Sequence, residues 1–229
     1  SATFASGSLL ETIGSSAFRE SALTTIEIPS SVTSIESNAF ASCQSLSSAT
    51  FASGSLLKTI GSYAFRYSKL TTIEIPMSVT SIDYAFDNCQ SLTSATFASG
   101  SLLETIGSSA FRESALTTIE IPSSVTSIES NAFSGCKSLA SATFASGSLL
   151  KAIGSYAFRQ SALTTIEIPM SVTSIQNYAF GNCKSLTSFN ASCASTMSIN
   201  SNAFGSSSLT SVSLPSAVSY SGSVSRNTI

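Results

Sequence analysis

Residues 23–46 read LTTIEIPSSVTSIESNAFASCQSL, with apolar residues at regular positions. This stretch opens with the pattern Leu-x-x-apolar-x-apolar, formed by Leu23, Ile26 and Ile28. The last two apolar residues alternate with polar ones, which is typical of a strand with one buried face. Proline has no backbone N–H to donate, so Pro29 marks the end of that strand. We therefore predict a short β-strand at the start of the stretch.

The same pattern recurs along the whole chain. The block SATFASGSLL begins at Ser1 and returns at Ser48, Ser94 and Ser141, and a degenerate copy, SFNASC, begins at Ser188. These blocks alternate with relatives of residues 23–46, so that two classes of unit follow one another. The units begin at Leu23, Leu46, Leu70, Leu92, Leu116, Leu139, Leu163, Leu186 and Leu209.

Repeats of this length predict a solenoid, because one unit cannot bury its own apolar residues and must stack on its neighbours. We predict one solenoid over residues 1–229, made of about ten units of 22–24 residues, with a partial unit at 1–22 and a degenerate one at 209–229. Equivalent residues then form ladders in a continuous core. An Ala-Phe step recurs in nine units, ending at Phe18, Phe40, Phe65, Phe86, Phe111, Phe133, Phe158, Phe180 and Phe204.

The strands are expected about 4.8 Å apart in one parallel sheet. The return path is wider than the strand, so the sheet is predicted to line a concave face. Short helical turns or irregular segments are predicted for the convex face. Both Ile28 and its counterpart Phe51 are expected to point into the core.

The unit resembles a known family. The sequence Leu-x-x-Ile-x-Ile-Pro-x-x-Val-x-x-Ile, followed by Ala-Phe-x-x-Cys-x-x-Leu, is similar to the BspA-like, or Treponema-type, class of leucine-rich repeats, and residues 23–46 contain all of it. The alternate units depart from the pattern, with Ala-Ser-Gly in place of the proline turn and serine in place of cysteine. The resemblance implies an α/β-type, right-handed leucine-rich-repeat solenoid. It also implies a secreted or cell-surface protein that acts in adhesion or recognition and has no catalytic residues.

Composition narrows the possible functions further. Histidine is absent, which removes the usual general base and the commonest metal ligand. The formal net charge is −2, and the lysines and arginines are spread along the chain, so the basic stripe of a nucleic-acid binder is missing. No apolar run approaches the roughly 20 residues of a membrane span. We predict no enzyme, no cofactor, no nucleic-acid partner and no membrane insertion within this chain.

Four cysteines recur at the same position in every second unit: Cys43, Cys89, Cys136 and Cys183. A spacing of two units is about 10 Å, which is too far for a disulfide or a shared metal ion. They are predicted to be buried packing residues. Cys193 lies elsewhere in its unit and is the candidate for an exposed thiol, with burial as the open alternative.

The outward positions of the strands hold the candidate binding residues. Glutamates there recur every second unit, again about 10 Å apart in identical environments, whereas acid/base catalysis needs two different ones. A solvated face and a partner contact both remain open for this column, and neighbouring threonines extend it. The candidate partner-binding residues are Thr25, Glu27, Thr72, Glu74, Thr118, Glu120, Thr165 and Glu167.

Three functions are compatible with these columns. The first is adhesion or recognition of a protein or glycan partner through the concave face or its edges. The second is a hydroxyl array that binds polysaccharide or ice, and the third is a structural spacer in a longer surface protein. The chain starts within a repeat, so we expect it to be a piece of a longer protein. Asn190-Ala191-Ser192 is its single glycosylation sequon.

Overall fold

The computed structural model describes residues 2–5, 7–191, 197–215, 218 and 226–228. Nearly every unit contributes one long strand just after its first leucine and one strand of two residues further on. The long strands are β2 (Thr25–Ile28), β4 (Ser48–Phe51), β6 (Thr72–Ile75), β8 (Ser94–Phe97), β10 (Thr118–Ile121), β12 (Ser141–Phe144), β14 (Thr165–Glu167), β16 (Ser188–Asn190), β18 (Ser211–Leu214) and β19 (Arg226–Thr228). The short strands are β1 (Thr12–Ile13), β3 (Ser34–Ile35), β5 (Thr59–Ile60), β7 (Ser81–Ile82), β9 (Thr105–Ile106), β11 (Ser127–Ile128), β13 (Ala152–Ile153), β15 (Ser174–Ile175) and β17 (Ser198–Ile199).

Both sets of strands pair in parallel, one unit on the next. The nine short strands form one continuous sheet in the order β1-β3-β5-β7-β9-β11-β13-β15-β17. The long strands lie in three hydrogen-bonded groups: β2-β4-β6-β8, β10-β12 and β14-β16-β18-β19. The predicted parallel leucine-rich-repeat solenoid is therefore confirmed, with breaks in the long-strand sheet that the prediction did not include.

The long strands bury one face as predicted. In β2 the side chains of Ile26 and Ile28 are buried, whereas Thr25 and Glu27 are exposed. Glu27 is the register partner of Thr50 on β4, and both face outward. We call this outer surface of the long strands the long-strand face.

The Ala-Phe step builds an aromatic stack through the core. The nine phenylalanines of the series, from Phe18 to Phe204, follow one another at ring-centroid distances between 5.1 and 5.6 Å. The rings are nearly parallel, with 16° the largest angle between neighbouring planes. Each interior ring is almost wholly buried. Such contacts stabilise by about 0.5–1.5 kcal/mol each beyond the burial of area.

The predicted helical turns are not formed in the described part of the chain. Left-handed residues accompany each Ala-Phe step, such as Asn38 with a φ of 59° and Ser42 with a φ of 58° on either side of Phe40. A helix needs an unbroken right-handed run, so these left-handed residues rule one out. The N–H of Phe40 instead donates to the Ala64 carbonyl of the next unit at 2.7 Å. The return path is thus a short-strand sheet followed by a ladder of turns.

Candidate functional site

The structure places the predicted partner-binding residues on one surface. Thr25, Glu27 and their six counterparts are exposed on the outer side of β2, β6, β10 and β14. None of the eight side chains forms a hydrogen bond or ion pair with another described residue. The four carboxylates and four hydroxyls are therefore available to a partner.

The glutamates are not brought together in pairs. In register, Glu27 adjoins Thr50, Glu74 adjoins Thr96, and Glu120 adjoins Thr143. A complete strand separates each glutamate from the next, which corresponds to about 10 Å. This arrangement offers a regular row of negative charge on an open sheet, not the paired carboxylates of an acid/base site.

Two threonine-rich columns of the long-strand face differ in how their hydroxyls are used. In the column that includes Thr24, several hydroxyls bond to carbonyls of the preceding unit, as Ser47 does to Thr24 at 3.2 Å and Thr93 to Thr71 at 3.1 Å. In the column that includes Thr25, Ser48 and Thr72, no hydroxyl has an acceptor among the described residues. The second column therefore has more free donors than the first.

Repeated pockets on this face were missed by the sequence analysis. The first has a volume of about 580 Å³ and is lined by Phe51, Glu74 and Pro76, among others. The second, of about 640 Å³, is lined at the same positions by Phe97, Glu120 and Pro122. The third, of about 590 Å³, is lined by Phe144, Glu167 and Pro169. Pockets and glutamates therefore share one period of two units.

The pockets lie where the long-strand sheet opens. Four residues of β2 pair with β4, but β4 pairs with β6 only at Ser48 and Thr72, and the sheet is interrupted between β8 and β10 and between β12 and β14. Each opening follows a SATF strand, whose terminal phenylalanine is only half-buried. Phe51 packs against the core, as predicted, but it is less completely buried than Ile28.

The degenerate unit explains the opening. It carries Phe189 and Ala191 at the two inward positions, where the other units of its class carry alanine and then phenylalanine. Both Phe189 and Ala191 are buried, and β16 pairs with β18 over three residues. Phenylalanine at the second inward position thus accompanies an opening after the strand, whereas alanine at that position accompanies a closed pairing. Isoleucine and phenylalanine alternate at this position from unit to unit, as Ile28 and Phe51 do, and this alternation was the sequence signal for the openings.

An apolar edge runs beside the pockets. The large apolar residues Leu9, Leu56, Leu102 and Leu149 occupy one position of the SATF units and are 89%, 57%, 54% and 53% exposed. Met77 and Met170, at 51% and 70% exposure, follow the strand-ending proline of the next unit and line the first and third pockets. Serine stands at the methionine position in the second pocket, as Ser123.

The cysteine column is buried, as predicted, and its thiols also form hydrogen bonds within the protein. Cys43, Cys89, Cys136 and Cys183 are free thiols. Each Sγ donates to the carbonyl of a phenylalanine in the preceding unit at 3.0 or 3.1 Å. Burial raises the pKa of both Cys89 and Cys136 to about 12, although serine hydrogen bonds act in the opposite direction. These thiols are packing residues, and Cys193 lies outside the described residues.

One buried carboxylate interrupts the regular pattern. Asp87 lies in the unit that is one residue short, and its side chain is 2% exposed. Its Oδ2 is 3.0 Å from Nε of Arg66, and its Oδ1 is 3.9 Å from an Nη of Arg112. The Arg66 guanidinium also stacks over the ring of Tyr67, 4.5 Å from its centroid. This ion triplet ties three successive units together and is a structural feature.

Other acidic residues form a second column at the turn that follows the short strands. Glu36 accepts a hydrogen bond from Ser34 at 2.8 Å. The pKa of Asp83 is raised by burial, and the charge of Glu129 adds to this effect, against a backbone hydrogen bond at Ser108 that lowers it. Within the described ranges, no three acidic or cysteine side chains converge as metal ligands would. The described residues likewise include no helix long and apolar enough to cross a membrane.

Comparisons with solved structures match this architecture. The chain is 25% identical to a leucine-rich repeat protein from Bacteroides ovatus, covering 96% of this chain and 66% of that one, with a TM-score of 0.70. It is 21% identical to the pneumococcal vaccine antigen PcpA, covering 90% of this chain and 67% of that one, with a TM-score of 0.63. The chain thus spans about two thirds of the length of these proteins. A search of curated protein sequences found no match.

The sequence family is also matched directly. The BspA type leucine rich repeat region is found in six copies, over residues 11–140 and 104–225. These ranges include almost the entire chain and contain both the strand-proline motif and the Ala-Phe-x-x-Cys motif. Together with the parallel stacking of the units, they show that this chain belongs to the BspA type of leucine-rich repeat proteins.

Proposed function

We propose that this chain is a non-catalytic recognition or adhesion module of a secreted or cell-surface protein, and that it binds a protein or glycan partner through the long-strand face. The observation that supports the proposal is the coincidence of pockets, free carboxylates and free hydroxyls on one rigid surface. Glu74, Glu120 and Glu167 each line a pocket. Ligand sites combine an apolar concavity with a few polar groups in this way.

The repeated site also suits weak multivalent binding. Three nearly identical pockets provide little specificity for a single compact ligand, but repeated sites on a rigid support raise avidity toward a repetitive one. Membership of the BspA type of repeat, which the sequence motif already suggested, supports the surface location.

The hydroxyl-array function is less well supported. Ice or polysaccharide binding through the Thr24 and Thr25 columns requires a continuous array of outward-facing donors, whereas Ser47 and Thr93 of the Thr24 column donate to backbone carbonyls. The row of glutamates also interrupts a uniform hydroxyl surface with strongly hydrated charges. A measurement of thermal hysteresis tests this alternative, and activity comparable to that of a known ice-binding protein would favour it.

Binding to an array of extracellular-matrix proteins and glycans tests the proposal. We expect the chain to bind at least one class of polymer. The double variant Glu74→Thr/Glu120→Thr is expected to lose that binding, while Glu11→Thr/Glu104→Thr keeps it. Both variants remove two carboxylates, and threonine already stands at equivalent positions as Thr50 and Thr33. No binding at all would contradict the proposal and favour the spacer. Equal loss in both variants would contradict binding through the long-strand face.

A further inference from the structure

We propose that the long-strand face binds a basic, proline-containing peptide segment in the polyproline II conformation, laid across the strands with one turn for every two units. This inference rests on the proposed function and names the partner class for the same surface. It follows from the spacing of the pockets, their two-part lining, the sign of the charge and the free hydroxyls.

The spacing of the pockets is the first observation. Equivalent pockets recur every two units, and strands about 4.8 Å apart make that period about 10 Å. A polyproline II helix has three residues per turn and rises about 3.1 Å per residue, so one turn advances about 9.3 Å. Every third residue of such a peptide therefore meets a pocket. The small difference between the turn of the peptide and the spacing of the pockets can be taken up by side-chain adjustment over three pockets.

Other peptide conformations fit the same period less well. An extended strand returns to one face about every 7 Å, out of step with the pockets. Two turns of an α-helix advance about 11 Å, which is close to the spacing of the pockets. The turn between them, however, places its side chains against fully paired strands, where there is no pocket. The polyproline II helix presents one residue per turn, so each facing residue has a pocket to enter.

The lining of each pocket combines apolar and polar side chains. In the first pocket the half-buried ring of Phe51, together with Pro76 and Met77, supplies the apolar part, and Thr50 and Glu74 supply the polar part. Proline rings dock on aromatic and apolar surfaces of this kind, and the preformed conformation reduces the entropy lost on binding. The apolar lining thus suits proline, and the glutamate in the same lining suits a neighbouring cation.

The negative charge of the long-strand face favours a positively charged partner. From β2 to β18, every charged residue at an outward position is a glutamate: Glu27, Glu74, Glu120 and Glu167. They follow the same two-unit period as the pockets, so a lysine or arginine at every third residue of the peptide meets one carboxylate per turn. Charge complementarity of this kind favours a cationic peptide over a neutral glycan.

The free hydroxyl column supplies the backbone contacts. A polyproline II helix makes no internal hydrogen bonds, so its carbonyl oxygens need outside donors. Ser48, Thr72 and Ser94 are consecutive members of the column whose hydroxyls have no acceptor in the described part of the chain. They lie beside the pockets and are available to donate to those carbonyls.

The test is fluorescence polarisation with labelled (Pro-Pro-Lys)5, a probe long enough to reach all three pockets. Two matched peptides separate the contributions: (Gly-Ser-Lys)5 keeps the charge and is flexible, while (Pro-Pro-Gln)5 keeps the conformation and is neutral. We expect each of these two peptides to bind at least about tenfold more weakly than (Pro-Pro-Lys)5. Equal binding of either one would overturn the inference.

Variants locate the site. Glu74→Thr/Glu120→Thr is expected to weaken (Pro-Pro-Lys)5 binding several-fold to roughly tenfold, and Glu11→Thr/Glu104→Thr is expected to leave it unchanged. Met77→Ser/Met170→Ser should weaken it a few-fold, and serine is already accepted at this position as Ser123. Equal loss in both glutamate variants would place binding elsewhere and overturn the inference.

The outcome is separable from that of the proposed function. If the array detects a ligand on the long-strand face but (Pro-Pro-Lys)5 does not bind, this inference fails and the recognition function stands. The inference also fails if a neutral oligosaccharide or a basic α-helical peptide displaces the ligand found by the array while (Pro-Pro-Lys)5 does not bind. The recognition function stands in that case too. If neither the array nor the peptide gives binding, both proposals fail.

Discussion

The thiol of Cys136 donates a hydrogen bond of 3.1 Å to the carbonyl oxygen of Phe111 in the preceding unit. Its Sγ also lies 3.2 Å from the hydroxyl oxygen of Ser114. The same contacts recur at the other three column cysteines, each with its own serine. Cysteine and serine alternate along the chain, and each cysteine of one class of unit therefore contacts a serine of the other class.

The first prediction concerns thiol reactivity. The thiolate is the reactive form, and burial disfavours it in this column. We expect a thiol reagent to label at most one cysteine of the folded chain, with Cys193 as the candidate, and all five after denaturation without reductant. Mass spectrometry of the labelled protein measures this. Rapid native labelling of Cys136 would contradict the buried column.

The second prediction concerns alkaline stability. The pKa of Cys89 and Cys136 rises from the ordinary 9.0 to about 12 in the folded protein, so the unfolded thiols ionise first. Their contribution to the free energy of unfolding is therefore complete below about pH 9 and is lost as the pH rises toward 12. Urea unfolding from pH 7 to 10.5 should show a steeper loss for the native chain than for Cys89→Ser/Cys136→Ser. Parallel curves would exclude this linkage.

The strands and the core could be predicted because their signals are local and repeated. The alternation of Ile26 and Ile28 indicates which face of the strand is buried, and the proline after them indicates where the strand ends in every second unit. Repetition then aligns equivalent residues, so the phenylalanine stack and the burial of Cys43 follow without knowledge of other contacts.

The turn ladder and the pockets could not be predicted in the same way. Left-handed backbone conformations occur at Asn38, where the residue type tolerates them, but also at Tyr63 and Tyr84, where it gives no hint. The pockets depend on how the side chain of Phe51 fits above its stacked neighbours, which is a property of adjacent units and not of one sequence position.

The third prediction compares two core substitutions in one unit. Phe133→Ala opens a gap in the aromatic stack between Phe111 and Phe158 and should lower the free energy of unfolding by about 3–5 kcal/mol. Cys136→Ser keeps an O–H donor for the Phe111 carbonyl and should lower it by about 1 kcal/mol or less. Urea denaturation of both variants measures the difference. A loss for Cys136→Ser as large as that for Phe133→Ala would show that the aromatic stack is not the main source of stability in this unit.

The fourth prediction concerns the ion triplet. Asp87→Ala should lower the free energy of unfolding by about 1–2 kcal/mol, since the carboxylate is buried but Arg66 and Arg112 can turn toward water. Alanine itself is accepted in this column, where Ala41 stands between Arg19 and Arg66. The exposed Arg19–Glu20 pair provides the control, and Glu20→Ala should change stability by less than about 0.5 kcal/mol. Equal effects of the two variants would show that burial of Asp87 has no energetic role.

The fifth prediction uses glycines at one position of the repeat. A Cβ at Gly61 would lie 2.7 Å from both the Glu36 carbonyl carbon and the Ser37 nitrogen, and backbone atoms cannot move aside alone. Gly61→Ala should therefore force neighbouring units apart and lower the free energy of unfolding by about 1–3 kcal/mol.

Gly14 is the matched control for this prediction. It follows β1 as Gly61 follows β5, but a Cβ there has no described atom within 4 Å. Gly14→Ala should therefore be neutral or slightly stabilising, because alanine only restricts the unfolded chain. The two variants are compared by urea unfolding under the same conditions. If both lower stability equally, the close approach of successive units at this turn is not what requires glycine, and the intrinsic conformational preference of the position must be the cause.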